Sequence, residues 1–174
     1  MSESNQKLKY QVILEEWLAS RDWKDELEVD HLNNTVRLVT GVNIASQDGR
    51  LIVEGSDDTD FVDVYLYLDV KCKDSRRSEL CILFNEINLK NHYGRFEVFP
   101  DGYMRWHHRV DFEGSQPSAT SIERIVGPAW DIVEMFIDPI LSVALTNTNS
   151  IEAMQEFERL QASNSNGDDP PTEL

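Results

Sequence analysis

Residues 78–91 read SELCILFNEINLKN, and residues 94–112, which follow after a short turn, read GRFEVFPDGYMRWHHRVDF. Apolar residues of the first stretch recur at a spacing of three or four residues, which gives a helix one buried face: Leu80, Leu83, Phe84 and Ile87. The second stretch has the alternation and the central turn of a β-hairpin. Together they predict a helix that passes directly into two antiparallel strands.

The turn of this hairpin is Pro100-Asp101-Gly102, whose composition is typical of a type I turn closed by a glycine in the left-handed region. Such a three-residue loop sets the register of the strands, pairing Val98 with Met104, Glu97 with Arg105 and Phe96 with Trp106. The two apolar pairs lie on one face and the opposite-charge pair on the other. The predicted register is therefore consistent with one buried face.

Upstream, an apolar stripe predicts an amphipathic first helix: Tyr10, Ile13, Leu14, Trp17 and Leu18. Strands are predicted over 27–32 and 35–45, joined by Asn33-Asn34 in a type I′ turn that pairs Val29 with Leu38. Asp48-Gly49 predicts a further turn before a short strand at 51–54.

The clearest strand begins at Phe61. One of its faces is purely aliphatic and must lie on a core: Val62, Val64, Leu66, Leu68 and Val70. The opposite face carries Phe61, Tyr65 and Tyr67 among charged residues, which is unusual for a solvated surface. We interpret these aromatic residues as a contact site; the alternative is that another helix covers them.

The C-terminal half is predicted to be helical. Thr120 and Glu123 have capping-box spacing, and a long apolar stripe follows to Leu141. Pro128 and Pro139 interrupt this stripe, so we expect a break or kink near each. Asn149-Ser150 starts a last helix. We predict a single domain over residues 1–162 and a disordered acidic tail over 163–174.

Composition narrows the classes of function. Thirty-two acidic and 16 basic residues give a net charge of −16, which opposes binding to nucleic acid or to anionic membranes. Solubility explains such acidity, and so does an acidic face for a basic partner. No signal peptide or membrane-spanning stretch is predicted, and Cys72 and Cys81 match no redox or zinc spacing. We expect a cytoplasmic protein.

Residues that suggest chemistry do not form an active site. His107 and His108 are adjacent on a strand and point to opposite faces, so the two cannot chelate one ion. Arg105, His107 and Arg109 form a basic strip that we expect to pair with Glu97 or nearby acids. Nucleotide-binding and nucleophile motifs are absent from the sequence. We therefore predict no catalytic residues, no metal and no cofactor.

The stretch LFNEINLKNHYGRFEVFPDGYMRWHHRVDFEG at 83–114, with the helix through IVGPAWDIVEMFIDPIL at 125–141, resembles the YbjN family. That family is often described as a bacterial sensory transduction regulator and is related in fold to type III secretion chaperones. The resemblance implies an α+β fold: an antiparallel sheet with an N-terminal helix, a central helix and C-terminal helices. It implies no catalytic residues.

These observations predict a non-enzymatic protein-binding module with a chaperone-like or regulatory role. The candidate contact residues are Phe61, Tyr65, Tyr67, Trp130 and Phe136, and strand addition at a sheet edge is a suitable binding mode. We expect a basic or unstructured protein partner and a homodimer. One alternative is a purely self-associating module. Another is a metal- or small-molecule-responsive sensor or enzyme that uses His107, His108 and Asp111.

Overall fold

The structure is a computed structural model of the 174-residue chain and describes residues 6–165. Its elements are α1 (Lys9–Ser20), β1 (Leu27–Asp30), β2 (Thr35–Ile44), β3 (Gln47–Ser56), β4 (Phe61–Leu68), a 3-10 turn (Asp74–Arg76), α2 (Arg77–Lys90), β5 (Arg95–Val98), β6 (Met104–Asp111), α3 (Ala119–Leu145) and α4 (Ser150–Ser165). The strands form one antiparallel sheet in the order β1-β2-β3-β4-β6-β5. The predicted α+β class is confirmed.

One face of the sheet carries the core. The aliphatic residues of β4 lie there with the buried stripes of α1, α2 and α3, and α4 packs on α2 and α3. Helix α1 approaches β3 closely because position 55 is glycine: a Cβ on Gly55 would lie 2.6 Å from Cγ of Tyr10. The predicted aliphatic face of β4 is therefore the floor of the core.

The hairpin of β5 and β6 has the predicted register, with Val98 opposite Met104 and Phe96 opposite Trp106. Its loop is closed by a hydrogen bond of 2.9 Å from the Phe99 amide to the Tyr103 carbonyl. Gly102 has a φ of +86°, the left-handed conformation that the turn requires.

The connection between β1 and β2 differs from the prediction. Val29 pairs with Val36 rather than Leu38, and Asp30 pairs with Thr35. The Asp30 carboxylate accepts hydrogen bonds from the backbone amides of Leu32 at 2.9 Å and Asn33 at 3.2 Å. This side-chain cap stabilises a longer loop than a type I′ turn at Asn33-Asn34. The shift is two residues, so each side chain keeps its face.

The predicted turn at Asp48-Gly49 is also wrong, because both residues lie within β3. The turn is at Ala45 and Ser46, with φ values of 46° and 66°. Two left-handed residues form the turn that matches the twist of a hairpin, although neither is glycine or asparagine. Strands β2 and β3 are consequently ten residues long each.

Helix α3 runs without interruption through Pro128 and Pro139, so neither proline breaks it, and the predicted alternative of a kink stays a prediction. Burial of its apolar stripe outweighs the roughly 3 kcal/mol that an interior proline costs. The capping box is formed by Ser118 and Ser121 instead of Thr120 and Glu123.

The start of α4 agrees with the prediction, since Asn149 Oδ1 accepts a 2.9 Å hydrogen bond from the Glu152 amide. The helix continues to Ser165, three residues past the predicted domain end at 162. The remainder of the predicted tail, 166–174, lies outside the described residues.

Candidate protein-binding surface

The face of the sheet that points away from the core bears no helix of the described part of the chain, and we call it the open face. Its principal residues come from four neighbouring strands: Arg37, Arg50, Ile52, Glu54, Phe61, Asp63, Tyr65, Tyr67, Arg105, His107 and Arg109. The predicted aromatic residues of β4 lie on this face. The alternative, that a helix covers them, does not apply within residues 6–165.

Cations lie against the aromatic rings of the open face. The Arg105 guanidinium is 4.6 Å from the ring centre of Tyr65, and the Arg109 guanidinium is 4.0 Å from that of Phe61. The His107 ring stacks on Tyr65 at 4.6 Å, and Arg105 Nη1 donates to the Tyr67 hydroxyl at 2.9 Å. Cation–π contacts of this kind fix the positions of these half-buried rings.

The predicted internal pairing of the basic strip is confirmed. Asp63, whose side chain is only 1% exposed, accepts from Arg109 Nε at 2.9 Å and lies 2.8 Å from His107 Nε2. Burial raises the pKa of the Asp63 carboxyl, but the hydrogen bonds from Arg109 and His107 outweigh it and hold that pKa below its ordinary value. Glu97 binds Arg105 and Arg95 in the same way, each at 2.7 Å.

A shallow groove lies beside these pairs, with a volume of about 430 Å³. It is lined by two arginines, one aspartate and four apolar or aromatic side chains: Arg37, Arg50, Asp101, Ile52, Tyr67, Phe99 and Tyr103. Arg37 and Arg50 have carboxylate neighbours of their own, Glu54 at 3.7 Å and Asp69 at 3.4 Å. Because the charges are matched by neighbours, this arrangement suits contact with another surface better than acid–base chemistry.

A second feature is the outer edge of β2. Strand β1 pairs only with Thr35–Leu38, so no described strand pairs with the outer side of residues 39–44. The Asp57 amide donates to the Asn34 carbonyl, so Asn34 directs its backbone groups towards β3. In an antiparallel ladder, successive residues direct their N–H and C=O groups alternately towards and away from the neighbouring strand. Val39, Gly41 and Asn43 therefore direct their backbone N–H and C=O groups away from β3. The Gly41 carbonyl accepts a long hydrogen bond of 3.5 Å from the neighbouring Thr40 hydroxyl.

Two of the five predicted contact residues lie elsewhere. Phe136 is 8% exposed and packs between Phe96, at 6.2 Å, and Phe157, at 5.0 Å. Trp130 is partly buried against the core on the same helix. Both are on the helical side of the sheet, so they form no common surface with Phe61, Tyr65 and Tyr67.

The two adjacent histidines face opposite sides of the sheet, as predicted. His107 stacks on Tyr65, whereas His108 lies 5.8 Å from Trp106 on the helical side, where burial lowers its pKa. Within residues 6–165 no group of three or more His, Cys, Asp or Glu side chains is arranged to hold a metal ion. None of the helices in that range is long and apolar enough to span a bilayer.

Comparison with solved structures identifies the class of fold. The ExsC–ExsE complex contains a chain that superposes with a TM-score of 0.51 at 14% identity, covering 75% of this chain and 94% of that one. A chain of the HopA1–SchA chaperone–effector complex superposes with a TM-score of 0.48 at 15% identity. The match covers 75% of this chain and 93% of that one. YbjN from E. coli superposes with a TM-score of 0.47 at 10% identity, and the match covers 76% of this chain and 90% of that one. The chain shares the fold of that ExsC–ExsE chain, and the predicted α+β architecture, an antiparallel sheet with N-terminal, central and C-terminal helices, is confirmed.

The sequence identifies the family. Residues 11–142 match the family model YbjN, described as "Putative bacterial sensory transduction regulator". The chain therefore belongs to the YbjN family, as the resemblance of residues 83–114 implied. No curated protein matches the sequence.

Proposed function

We propose that this protein binds an extended segment of another protein along the outer edge of β2, in a chaperone-like or regulatory role and without enzymatic activity. The observation that carries the proposal is the unpaired outer side of residues 39–44. A strand added there would continue the line of β1. Its backbone hydrogen bonds would supply affinity with little demand on the partner's sequence.

The open face would supply the second part of the site. Alternate side chains of an added strand point to that face, towards Arg50 and the groove beside Tyr67. Tyr65, Tyr67 and Phe61 offer half-buried rings with little conformational entropy to lose. We therefore keep these three residues as proposed contacts and leave out Phe136, which is buried in the core, and Trp130, which packs against the core on the helical side.

The charge of the site bears on the kind of partner. The arginines described above on the open face pair with carboxylates, so the net charge of −16 resides mostly on other surfaces. An unstructured partner suits the edge of β2, and basic residues beyond the bound segment would meet the acidic remainder. The ExsC–ExsE structure, whose fold this chain shares, is likewise a complex of two proteins. Free Cys72 and Cys81 are compatible with a reducing cytoplasm, where we place the protein.

The first experiment locates the partner. A photo-crosslinking benzoylphenylalanine is introduced at Val39, on the unpaired edge, or at Leu32, in the β1–β2 loop and 90% exposed, as a matched control. Each protein is added to native extract and irradiated, and mass spectrometry identifies the crosslinked segment. We expect a discrete protein segment at position 39 that is absent at position 32.

Affinity for a peptide of that segment then tests the binding mode. Gly41→Pro removes an outward N–H without breaking the ladder to β3, and Gly41→Ala is its control. We expect about tenfold weaker binding for Gly41→Pro and for Tyr65→Ala/Tyr67→Ala, and little change for Gly41→Ala or for Tyr93→Ala. Equal affinity of Gly41→Pro and Gly41→Ala would exclude strand addition at this edge.

Self-association is the alternative function. If the segment crosslinked at Val39 belongs to a second copy, and light scattering gives a dimer that Gly41→Pro dissociates, the edge is a dimer interface. A homodimer that Gly41→Pro leaves intact would be compatible with the proposed function. The predicted homodimer thus remains a prediction for the same light-scattering measurement.

A further inference from the structure

A second groove lies on the helical side of the molecule, between α3 and α4. The two helices form an antiparallel hairpin through residues 146–149, and the valley between them has a volume of about 540 Å³. Most of its lining comes from one face of each helix, including Met135, Asp138 and Pro139 of α3 and Glu156, Phe157 and Leu160 of α4, and Thr148 of the connection adds to it. This valley belongs neither to the open face nor to the edge of β2.

The floor and sides of the valley are apolar. Met135 is 50% exposed and Leu160 is 45% exposed, and both line the same valley, where neighbouring exposed apolar side chains mark a contact site better than scattered ones do. Between them lie buried Ala153 and half-buried Phe157, whose ring packs on Phe136. An exposed methionine is unbranched and polarizable, so it adapts to different apolar partners.

The rims of the valley are acidic. Asp138 has no ion pair among the described residues. Glu156 binds Arg159 at 2.6 Å, where both side chains are exposed, and Glu152 accepts from the Asn149 amide at 3.2 Å. Three carboxylates therefore border an apolar strip with one paired cation beside it, so the border carries net negative charge.

We infer that this valley docks an amphipathic helix of a partner protein that carries lysine or arginine on both sides of an apolar stripe. The spacing of positions 135, 138, 139 and 142 presents about two helical turns, roughly 10 Å, to a third helix. Helices pack in such valleys at interaxial distances of about 8–10 Å. Charge complementarity with the carboxylates selects a basic helix over an acidic one.

The chain's own C-terminal residues are a poor occupant on grounds of sequence. Residues 166–174 read NGDDPPTEL, which carries the same sign of charge as the rims and two prolines that oppose a helix. A second copy of the chain remains an outcome of the test. The inference goes beyond the proposed strand addition, because the two surfaces lie on opposite sides of the sheet.

The test uses a labelled Leu/Lys helical peptide, LKKLLKLLKKLLKL, and its counterpart with glutamate in place of lysine. Fluorescence anisotropy measures their affinity for the wild type, for Met135→Glu/Leu160→Glu, and for Ile82→Glu/Leu89→Glu. The last variant is a matched control. Ile82 and Leu89 are exposed hydrophobic residues on α2, at 56% and 75%, and their replacement adds the same two negative charges as the valley variant.

We expect the lysine peptide to bind the wild type and the α2 variant within about twofold, and to bind Met135→Glu/Leu160→Glu at least about tenfold more weakly. Asp138→Lys should also weaken binding and reduce its dependence on salt. Circular dichroism confirms that each variant is folded. The substitutions at Met135, Leu160 and Asp138 lie on α3 and α4, not on β2. A failure of helix docking in the valley would therefore leave the proposed strand addition untouched, and a failure of strand addition would leave helix docking untouched.

Three results would overturn the inference. Equal weakening by the α2 variant would mean that the peptide responds only to overall charge. If the wild type bound the glutamate peptide as tightly as the lysine peptide, the carboxylates of the valley would not select a basic helix. A wild-type dimer that Met135→Glu/Leu160→Glu converts to a monomer would assign the valley to a second copy.

Discussion

Asp63 connects the stability of the sheet to the shape of its open face. It is the only charged residue among the fully buried side chains of the described residues, and Arg109 and His107 both bind it. Those two partners in turn lie against Phe61 and Tyr65. One buried carboxylate therefore positions two aromatic residues of the proposed contact surface.

We predict that Asp63→Asn lowers the free energy of unfolding by about 1–3 kcal/mol at neutral pH, because it leaves hydrogen-bonding groups without a charged partner. Urea denaturation measures the effect. Asp69→Asn on the same segment is the control: its ion pair with Arg50 is exposed and should be worth at most about 1 kcal/mol.

The pH dependence of this difference has a definite sign. The pKa of Asp63 is lower in the folded protein than the ordinary value of 3.8, so its contribution is present above that value and is lost as pH falls through the folded-state pKa. The gap between the wild type and Asp63→Asn should therefore shrink below about pH 3.8. A gap that widens on acidification would contradict this account.

At the scale of elements, local turn chemistry decided which predictions were correct. The β5–β6 register could be derived because the three-residue turn at Pro100-Asp101-Gly102 gives matched pairs on both faces, whereas a two-residue Asp-Gly loop would pair Val98 with Arg105. The β1–β2 loop could not, because the Asp30 carboxylate replaces the backbone turn at Asn33-Asn34. The turn at Ala45 was missed because neither of its residues is typical of the left-handed region.

We predict that α1 depends on the absence of a side chain at position 55. Gly55→Ala would place a methyl group 2.6 Å from the fully buried Tyr10 ring, so we expect a loss of about 1–3 kcal/mol in the free energy of unfolding. Gly41→Ala in the neighbouring strand is the matched control, since a Cβ there meets nothing within 4 Å. It should be neutral or stabilise by up to about 1 kcal/mol. Equal destabilisation by both substitutions would refute the contact argument.

At the scale of the whole molecule, the sequence predicted the strand part of the candidate site and missed the rest. Alternation in β4 placed Phe61, Tyr65 and Tyr67 correctly on one face. The burial of Phe136 could not be predicted, because the rings that cover it, Phe96 and Phe157, are distant in sequence. The free edge of β2 had a signal in the sequence: the strand predicted at 35–45 is much longer than its partner at 27–32, so the excess had to lack a partner.

The net charge of −16 also acts on the whole molecule. Self-repulsion opposes the compact state, and raising NaCl from about 0.01 to 0.15 M shortens the screening length from about 30 to 8 Å. We predict a rise in melting temperature of about 2–4 °C, equivalent to about 1 kcal/mol, in differential scanning calorimetry. The melting temperature of Glu16→Lys/Glu134→Lys, in which two exposed acidic residues become basic, should rise less with salt. A fall with salt would show that the ion pairs outweigh the repulsion.

The order of the strands has a consequence for how the chain folds. Strands β1 to β4 pair with their neighbours in sequence, and so do β5 and β6. The pairing of β4 with β6 alone spans a long segment, from Asp69 to Tyr103, which contains α2. Closing that segment costs entropy before its contacts form. We expect two pieces, a four-stranded meander and a helix-hairpin unit, to form early and independently, with their junction at Leu66 and Trp106 as the rate-limiting step.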